Sequence, residues 1–562
     1  MPAQVVAVGE SSLAHLKTRP DYAVTLSSAL VGFIEVKAPG KGGDPRKFKV
    51  KHDKEQWLRL QSLPNLIYTD GNEFTLWHSG EIQLVIRMDG DIETAGANMA
   101  APQQLLTLFD DFLRWQPIPP RTPKMLAEMT ARVCRLLRDE VTEQLEEGDP
   151  ALSALATDWR RLLFPDATPA EFADGYAQAV TFGLLVARAN GIELATGLDR
   201  AAKDLASTHS LIGAALRILT DDTTKHETLK TSIGTLTRVL DAVDWPTISK
   251  GDARAWLYFY EDFLAEYDSR LRKKTGSYYT PPEVVASMTN LVDETLRLRF
   301  GRRLGLADEA VTLVDPAVGT GTFILGVLQR IAETIAAEQG AGAVPGAIEA
   351  ALERLFAFEL QLGPFAVAQL RVLAELADLQ ATTKVPLRMY VTDTLGNPYV
   401  EDEQLGAIYA PIAESRRRAN EVKKTQPITV VIGNPPYQEK AKGRGGWVES
   451  GDVNAKVAPL LDAWMPPKVW KVGAHAKHLR NLYVYFWRWA TWKVFDHDPE
   501  HDTGVVAFIT VAGFLNGPGF QRMRSTCAKP ATRCASFTAP PKDTNPTLLL
   551  GSSRTCSNRC AS

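Results

Sequence analysis

One segment, residues 311–323, constrains the fold of this chain more than any other part of the sequence. It reads VTLVDPAVGTGTF, in which an apolar run ends on Asp315, and Gly319 and Gly321 precede a long amphipathic helix pattern. A strand, a glycine turn and a helix N-terminus in this order form nucleotide pockets at the carboxyl ends of parallel strands. No third glycine completes the dinucleotide spacing, which disfavours a nicotinamide cofactor. The segment predicts an α/β, Rossmann-like fold.

Two other apolar runs also end on acidic residues. Residues 355–358 lead to Glu359, and residues 389–392 lead to Asp393. Parallel strands open into one cleft at their carboxyl ends. There, Glu359 could accept hydrogen bonds from both ribose hydroxyls, and Asp393 could accept one from an adenine amine. An acid at a strand end can instead cap the following helix, but the order and shared position of these two favour a pocket.

A proline-rich turn follows a fourth apolar run, residues 428–432. It reads Asn434-Pro435-Pro436-Tyr437. The Asn434 side-chain oxygen and the Pro435 carbonyl could each accept a hydrogen from a flat amine, which would let its nitrogen become tetrahedral as it attacks a sulfonium methyl. The prolines would hold these acceptors rigidly, and Tyr437 would offer a face for a base to stack on. A surface turn after a core strand is the alternative for Asn-Pro-Pro alone.

In this order, over about Trp256 to Phe520, the motifs resemble those of adenine-N6 DNA methyltransferases whose S-adenosylmethionine motifs precede a catalytic Asn-Pro-Pro-Tyr. Residues 276–282 resemble the family segment in which a threonine, here Thr280, meets the methionine end of the cofactor. The resemblance implies S-adenosylmethionine as cofactor and a flipped adenine of double-stranded DNA as substrate. The cofactor-binding residues it implies are Thr280, Asp315, Ala317, Gly319, Gly321, Glu359 and Asp393. The catalytic residues it implies are Asn434, Pro435, Pro436 and Tyr437.

The first hundred residues carry a second candidate site. Strand alternation in Gly32–Lys37 places Glu35 and Lys37 on one face. Asp21 and Glu35 could hold Mg²⁺ through oxygen ligands, and Lys37 could orient or deprotonate the attacking water. A solvated strand face is the alternative for Glu-x-Lys alone.

This segment resembles the PD-(D/E)xK nuclease domain fused to methyltransferases in single-chain restriction-modification enzymes. The resemblance extends over residues 38–41, Gln56-Trp57 and residues 63–71. It implies catalytic roles for Asp21, Glu35 and Lys37, and it adds Gln56 to the site.

Net charge and hydropathy limit the partners of the chain. A net charge of −3 over 562 residues predicts no global attraction to DNA, so any basic footprint must be local. The candidates are residues 270–274, residues 416–418, and the group of Lys440, Lys442 and Arg444. No signal peptide is visible, and Val505–Leu515 is too short to span a bilayer, which predicts a cytoplasmic enzyme without a membrane partner.

The middle of the chain reads as a stiff linker at 116–123 followed by a helical connector to about Val243. No Gly-x-x-x-x-Gly-Lys-Ser/Thr loop is found, so no ATP-driven motor is expected. That arrangement resembles the motorless type IIG enzymes. From about Ser525 apolar periodicity stops and four cysteines follow without Cys-x-x-Cys spacing, which disfavours a zinc site. This part reads as an out-of-frame or prematurely ended tail.

The sequence as a whole predicts four regions of a single-chain restriction-modification polypeptide, with target recognition lost or truncated. They are a PD-(D/E)xK-like nuclease domain at 1–115, a helical connector at 116–250, an adenine-N6 methyltransferase domain at 251–524 and a disordered tail at 525–562. Two alternatives stay open. One is a methyltransferase for protein glutamine or RNA, where Asn-Pro-Pro-Tyr also serves, and the other is a non-catalytic, truncated DNA-binding remnant.

Overall fold

The chain forms two compact units in the computed structural model. The first comprises Met1–Leu205 and Leu216–Lys250, and the second comprises Ala206–Ala215 and Gly251–Ser562. The structure describes residues 5–9, 20–26, 29–115, 120, 122–162, 168–194, 197–208, 213, 216, 227–245, 248, 259–268, 280–382, 386–400, 410–501, 503–527, 532–537 and 547–552. The sequence features that lie outside these residues are 270–274, 276–279, most of the linker at 116–123, Cys556 and Cys560.

A six-stranded sheet, in chain order across its width, forms the centre of the first unit. Its third and fourth strands are parallel and its other neighbours are antiparallel. The strands are β1 Val5–Gly9, β2 Tyr22–Leu26, β3 Ala29–Val36, β4 Leu66–Thr69, β5 Glu73–His78 and β6 Glu81–Arg87. The helices in this part of the chain are α1 Lys51–Leu60, α2 Ile92–Ala95, α3 Gln103–Leu113, α4 Pro123–Glu146, α5 Pro150–Leu162, α6 Pro169–Ala189, α7 Leu198–Thr208 and α8 Glu227–Asp241.

Alternation along β4 divides the apolar residues of this unit between two clusters. Leu66 and Tyr68 belong to one cluster and Ile67 to the other, as expected when successive side chains point to opposite faces. Glu35 is in register with Tyr68 on the parallel neighbour, so Glu35 lies on the Tyr68 face of the sheet. Packing of α1 beside this face brings Trp57 into the same cluster.

A seven-stranded sheet forms the centre of the second unit. Five neighbouring strands, β7 to β11, are parallel, which confirms the predicted α/β fold with a parallel sheet. The strands are β7 Leu313–Asp315, β8 Leu355–Glu359, β9 Met389–Val391, β10 Val430–Gly433, β11 Gly504–Ile509, β12 Thr532–Phe537 and β13 Thr547–Ser552. The helices are α9 Phe259–Tyr267, α10 Pro282–Phe300, α11 Thr322–Gln339, α12 Val344–Leu352, α13 Leu362–Asp378, α14 Ala410–Thr425, α15 Gly446–Ser450, α16 Leu482–Thr491, α17 Gly513–Asn516 and α18 Gln521–Cys527.

The strand order of this sheet is β12-β13-β11-β10-β7-β8-β9. The chain runs outward from β7 to β8 and β9, and then returns to add β10 on the other side of β7. Ligands of open α/β sheets bind outside the carboxyl ends of the strands where the order reverses in this way. The carboxyl ends of β7 and β10 are Asp315 and Gly433, so the glycine loop and the proline-rich turn leave the sheet side by side.

The carboxyl-terminal segment differs from the disordered tail that its composition indicates. β13 pairs with β11 along its whole length, and β12 pairs with β13, both antiparallel. The run Thr547-Leu548-Leu549-Leu550 is short but strand-compatible, and the edge of β11 offers it unpaired backbone groups. The edge of β11 is therefore paired, and β12 becomes the outer strand on this side of the sheet. Among the described residues, no helix is long and apolar enough to cross a membrane.

Candidate active site

Two glycines with left-handed backbone conformations shape the loop between β7 and α11. Gly319 has a φ of 54° and Gly321 a φ of 86°, a region that residues with a Cβ rarely adopt. A Cβ on Gly321 would also lie 3.3 Å from the Cα of Ala368, whereas one on Gly319 would meet no atom within 4 Å. The loop thus packs closely on α13 at Gly321 and leaves open space at Gly319.

Asp315 is a buried carboxylate at the end of β7, with 1% of its surface exposed. Its Oδ1 accepts a hydrogen bond from the Ala317 backbone N–H over 3.1 Å. Burial, with a smaller contribution from the nearby charge of Glu359, raises the pKa of Asp315 to about 8 against the lowering effect of the Ala317 N–H. A Cβ on Gly433 would lie 2.8 Å from Asp315 Oδ1, so only glycine lets β10 end this close to the acid.

Glu359, at the end of β8, accepts three backbone hydrogen bonds. Oε2 accepts from the Gly319 N–H over 2.9 Å, and Oε1 accepts from Leu360 and Gln361, each over 2.9 Å. Burial raises the pKa of Glu359, although the three N–H groups lower it. A carboxylate has about four acceptor positions. About one remains for a ligand, so accepting from both ribose hydroxyls would require Glu359 to release a backbone partner.

Asp393 follows β9 and is exposed. Its Oδ1 accepts from the Leu395 N–H over 2.9 Å, so one carboxylate oxygen shapes the loop and Oδ2 faces the space near Gly396. The buried Lys423 side chain on α14 donates from Nζ to the Asp393 carbonyl over 2.6 Å and to Thr392 Oγ1 over 3.2 Å. Lys423 therefore fixes the backbone that carries Asp393.

Three buried residues that sequence reasoning did not single out support these loops. Arg371 on α13 donates to the Thr320 carbonyl over 2.7 Å and to the Thr322 hydroxyl over 3.3 Å. These two bonds tie the glycine loop to α13. Thr394 donates to the Pro316 carbonyl over 2.5 Å. Lys423 is the third. A charged residue inside an otherwise apolar helix face is the sequence signal that could have identified Arg371.

The amide of Asn434, which follows β10, has a hydrogen-bond partner on each side. Its Nδ2 donates to Thr280 Oγ1 over 3.1 Å, and its Oδ1 accepts from the Tyr437 hydroxyl. Thr280 is 7% exposed, and it directly precedes Pro281 at the start of α10. The two partners fix the amide with its oxygen on the Tyr437 side.

Tyr437 is half-buried and packs against the main apolar cluster of the second unit. Burial raises the pKa of its hydroxyl, so the group stays protonated and remains a donor to Asn434. Pro435 is buried and Pro436 is half-buried. The structure thus brings Thr280, Asn434 and Tyr437 into one hydrogen-bonded chain.

The structure also relates the remaining predicted site residues to one another. Glu359 binds the glycine loop directly, and Asp315 adjoins the end of β10 through Gly433. The Asp393 side chain accepts its hydrogen bond from Leu395, within its own loop. The arrangement is a row of polar side chains along the carboxyl ends of β8, β7 and β10, with two acids, an amide and a phenol.

The second candidate site lies on β3 and α1 of the first unit. Lys37 Nζ donates to Glu35 Oε1 over 2.6 Å and also to Gln56 Oε1. Gln56 Nε2 donates to the same Glu35 oxygen over 2.6 Å. Burial raises the pKa of Glu35 more than the Lys37 ammonium lowers it. The predicted triplet Glu35, Lys37 and Gln56 is therefore one connected cluster.

Asp21 and Asp53 border this cluster. Asp21 Oδ2 accepts from the Val36 N–H over 2.6 Å, and its charge acts on Glu35. Asp53, which sequence reasoning did not single out, is 5% exposed. It accepts from Lys41 over 2.6 Å and lies 3.9 Å from Lys37 Nζ. Within the described residues, no group of three or more His, Cys, Asp and Glu side chains is arranged to hold a metal ion.

An open parallel sheet with a glycine loop and a proline-rich turn at its carboxyl edge is consistent with a methyltransferase domain. Residues 257–455 match the family model described as N-6 DNA Methylase. This part of the chain is therefore an N6-adenine DNA methyltransferase domain, a family that implies S-adenosylmethionine as methyl donor. No curated protein matches the chain.

Three solved structures, two of them type ISP restriction-modification enzymes, share the fold. The DrdV–DNA complex is 18% identical, with a TM-score of 0.55 over 98% of this chain and 52% of that one. The ATP-dependent type ISP enzyme LlaBIII bound to DNA is 17% identical, with a TM-score of 0.57 over 80% and 30% of the two chains. A nuclease-deletion mutant of the type ISP enzyme LlaGI, in complex with a DNA substrate mimic, is 16% identical, with a TM-score of 0.54 over 80% and 36%. The chain spans about half or less of the length of these proteins.

Proposed function

We propose that this chain is a site-specific DNA adenine-N6 methyltransferase of a restriction-modification system. The observation that carries the proposal is the Asn434 amide, held between Thr280 and Tyr437 at the strand end beside Asp315. The match of residues 257–455 to N-6 DNA Methylase supports it. That match favours DNA over RNA or protein glutamine as the methyl acceptor.

The role of Asn434 follows from its fixed orientation. Nδ2 is occupied by Thr280, so Oδ1 is the atom that can receive a substrate amine. An amide oxygen has two acceptor positions, and the Tyr437 hydroxyl takes one of them. The second, together with the Pro435 carbonyl, accepts the two hydrogens of the adenine amine. These acceptors favour a tetrahedral nitrogen, whose lone pair is then free to react.

The chain's own residues fit the cofactor that the family implies. Gly319 leaves open space at the glycine loop, Glu359 keeps an acceptor position, and Asp393 is exposed. We assign Asp315, Ala317, Gly319, Gly321, Glu359 and Asp393 to hold S-adenosylmethionine. When bound, it supplies the methyl group. Thr280 is also a candidate contact of the cofactor, although its hydroxyl already accepts a hydrogen bond from the Asn434 amide.

Double-stranded DNA is the proposed substrate. Of the three structural relatives named above, two are bound to DNA and one to a DNA substrate mimic. Because the adenine amine is unreachable inside the base stack, the target base must be flipped out towards Asn434. The half-buried ring of Tyr437 then offers a face on which the base can stack.

A radiolabelled methyl-transfer assay tests this function. The full chain is incubated with methyl-labelled S-adenosylmethionine and, in parallel, duplex DNA, RNA of the same sequence, or a glutamine-containing protein. Label in N6-methyladenine of the duplex is the expected result. Label only in RNA or protein would assign the domain to another substrate class, and cofactor binding without any transfer would favour a non-catalytic remnant.

We further propose that the first unit contains a Mg²⁺-dependent endonuclease site. The cluster of Glu35, Lys37 and Gln56 supports it, because a buried carboxylate beside an ammonium suits metal binding and water activation. Asp21 and Glu35 would hold the ion and Lys37 would orient or deprotonate the water. Cleavage of unmethylated duplex DNA with Mg²⁺, and none with EDTA, is the expected result.

A further inference from the structure

A basic segment of the second unit, residues 466–480, lies next to the catalytic turn. It contains Lys468, Lys471, Lys477 and Arg480 and has no Asp or Glu. Two short 3₁₀ helices, Lys468–Trp470 and Gly473–Arg480, form most of it. The sequence shows no cluster of adjacent cations here, because the lysines are separated by mainly apolar and small residues. Only the lack of Asp and Glu distinguishes the segment.

Backbone hydrogen bonds tie the end of this segment to the exit of the catalytic turn. Gln438, the residue after Tyr437, accepts from the Leu482 N–H over 2.9 Å. Ala441 donates to the Arg480 carbonyl over 2.8 Å. The last residues of the basic segment are therefore fixed beside the loop that follows the catalytic turn.

Buried anchors hold both ends of the segment, while its middle faces solvent. Trp464 and Leu479 are fully buried, and Arg522 donates to the Met465 carbonyl over 3.0 Å. A Cβ on Gly519 would lie 2.2 Å from the His475 carbonyl oxygen, so α18 and the turn before it pack tightly under the segment. The exposed middle of the segment is thus held in place by buried residues on either side of it.

Arg480, at the end of this surface, pairs with Glu449 over 3.7 Å, whereas its three lysines have no such partner in the described part of the chain. Lys468, Lys471 and Lys477 are exposed, and within the described residues no ion pair involves their amino groups. Trp470 beside them is 36% exposed. By contrast, Arg417 and Arg418, in another predicted basic cluster, both pair with Glu414. Unpaired lysines interleaved with an exposed indole are typical of surfaces that bind a nucleic-acid backbone.

We propose that residues 466–480, with Lys440, Lys442 and Arg444 beside them, bind the phosphate backbone of duplex DNA next to the flipped base. This proposal rests on the proposed methyltransferase function and names the surface that presents its substrate. Charge complementarity selects the occupant. DNA carries closely spaced phosphates, and the segment presents three exposed lysines that form no ion pair within the described residues, next to the catalytic turn.

Salt-dependent DNA binding tests the surface with two matched triple variants. One is Lys468→Gln/Lys471→Gln/Lys477→Gln, and the control is Arg299→Gln/Arg417→Gln/Arg418→Gln. Both remove three exposed positive charges from the same unit. Each lysine that contacts phosphate contributes roughly 0.9 to the slope of log affinity against log salt concentration. We expect the lysine variant to lose slope by about this amount per contact, and the control to keep the parental slope.

The same variants separate this proposal from the proposed function. For the lysine variant we expect a raised KM for DNA, a parental kcat at saturating DNA and unchanged S-adenosylmethionine affinity. A parental slope in the lysine variant, equal losses in both variants, or no duplex binding by the parent would overturn the surface. Full competition by polyglutamate of equal charge would also overturn it, by indicating an acidic protein as occupant. A parent that binds DNA through these lysines but transfers no methyl group would contradict the proposed function alone.

Discussion

Thr280 and Asn434 are 154 residues apart in the sequence, yet Thr280 Oγ1 accepts a hydrogen bond from Asn434 Nδ2 over 3.1 Å. Together with the Tyr437 hydroxyl, which donates to Asn434 Oδ1, this contact fixes which atom of the amide can accept from the substrate. Without it, rotation of the amide by half a turn would present Nδ2, a donor, to the substrate amine. Thr280 is thereby a positioning residue for Asn434.

Thr280→Val removes the hydroxyl at nearly constant volume. One hydrogen bond contributes about 0.5–1.5 kcal/mol, which corresponds to roughly two- to tenfold in rate. We expect kcat to fall by that factor while S-adenosylmethionine affinity, measured by calorimetry, stays parental. Thr280→Ser keeps the hydroxyl and should restore kcat.

A loss of cofactor affinity without a loss of kcat would support the cofactor-binding role that the family resemblance implies for Thr280. If Thr280→Val weakened cofactor affinity and left kcat unchanged at saturating cofactor, Thr280 would be a cofactor contact and the amide would be oriented by other means.

Asp315→Asn should change the pH dependence of stability. Burial raises the pKa of Asp315 from 3.8 to about 8, so the folded chain holds a proton that the unfolded chain has released. Its stabilising contribution is complete below pH 3.8 and is lost as pH rises towards about 8. The loss is at most about 1.4 kcal/mol per pH unit.

Urea unfolding at pH 6.0 and 7.5 measures this effect. The parent should lose up to about 2 kcal/mol more than Asp315→Asn over this interval. Equal losses in the two proteins would show that Asp315 is ionised in the folded state throughout the range.

Lys37→Ala should abolish Mg²⁺-dependent cleavage and leave methylation intact. The Lys37 ammonium lowers the pKa of Glu35 against the effect of burial, so its loss favours the protonated carboxyl, which cannot hold a metal ion. Lys51→Ala is the control, because the Lys51 side chain is 91% exposed. Plasmid nicking and cutting is the measurement, and cleavage that survives Lys37→Ala would assign the activity to another site.

Much of the fold of the second unit is predictable from the sequence, because each apolar run is local. The runs that lead to Asp315, Glu359 and Asn434 are strands β7, β8 and β10 in the structure. The position of each polar residue at a strand end can therefore be predicted from the chain order alone. Glu35 and Lys37 are likewise two residues apart, so strand alternation places them on one face.

Contacts between distant segments were beyond such reasoning. The Thr280–Asn434 bond and the support of the glycine loop by Arg371 depend on how helices pack on the sheet, which no local pattern encodes. The pairing of β13 with β11 was missed for the same reason, since the segment around Leu549 lacks alternation and gains its partner only through the sheet edge. The basic segment at 466–480 has no run of adjacent cations in the sequence. Its net positive charge comes from spaced lysines with no Asp or Glu between them.

The rate of methyl transfer by Asn434→Ala measures whether the Asn434 amide binds the reacting amine. Initial rates on duplex DNA are compared for the parent, Asn434→Ala, Asn434→Asp and the exposed control Asn516→Ala, with cofactor affinity measured in parallel. Losing a preorganised polar partner of this kind costs on the order of a hundredfold or more in rate. The account predicts such a loss for Asn434→Ala with parental cofactor affinity, a smaller loss for Asn434→Asp, which keeps an acceptor oxygen, and none for Asn516→Ala. Methylation by Asn434→Ala at the parental rate would contradict it.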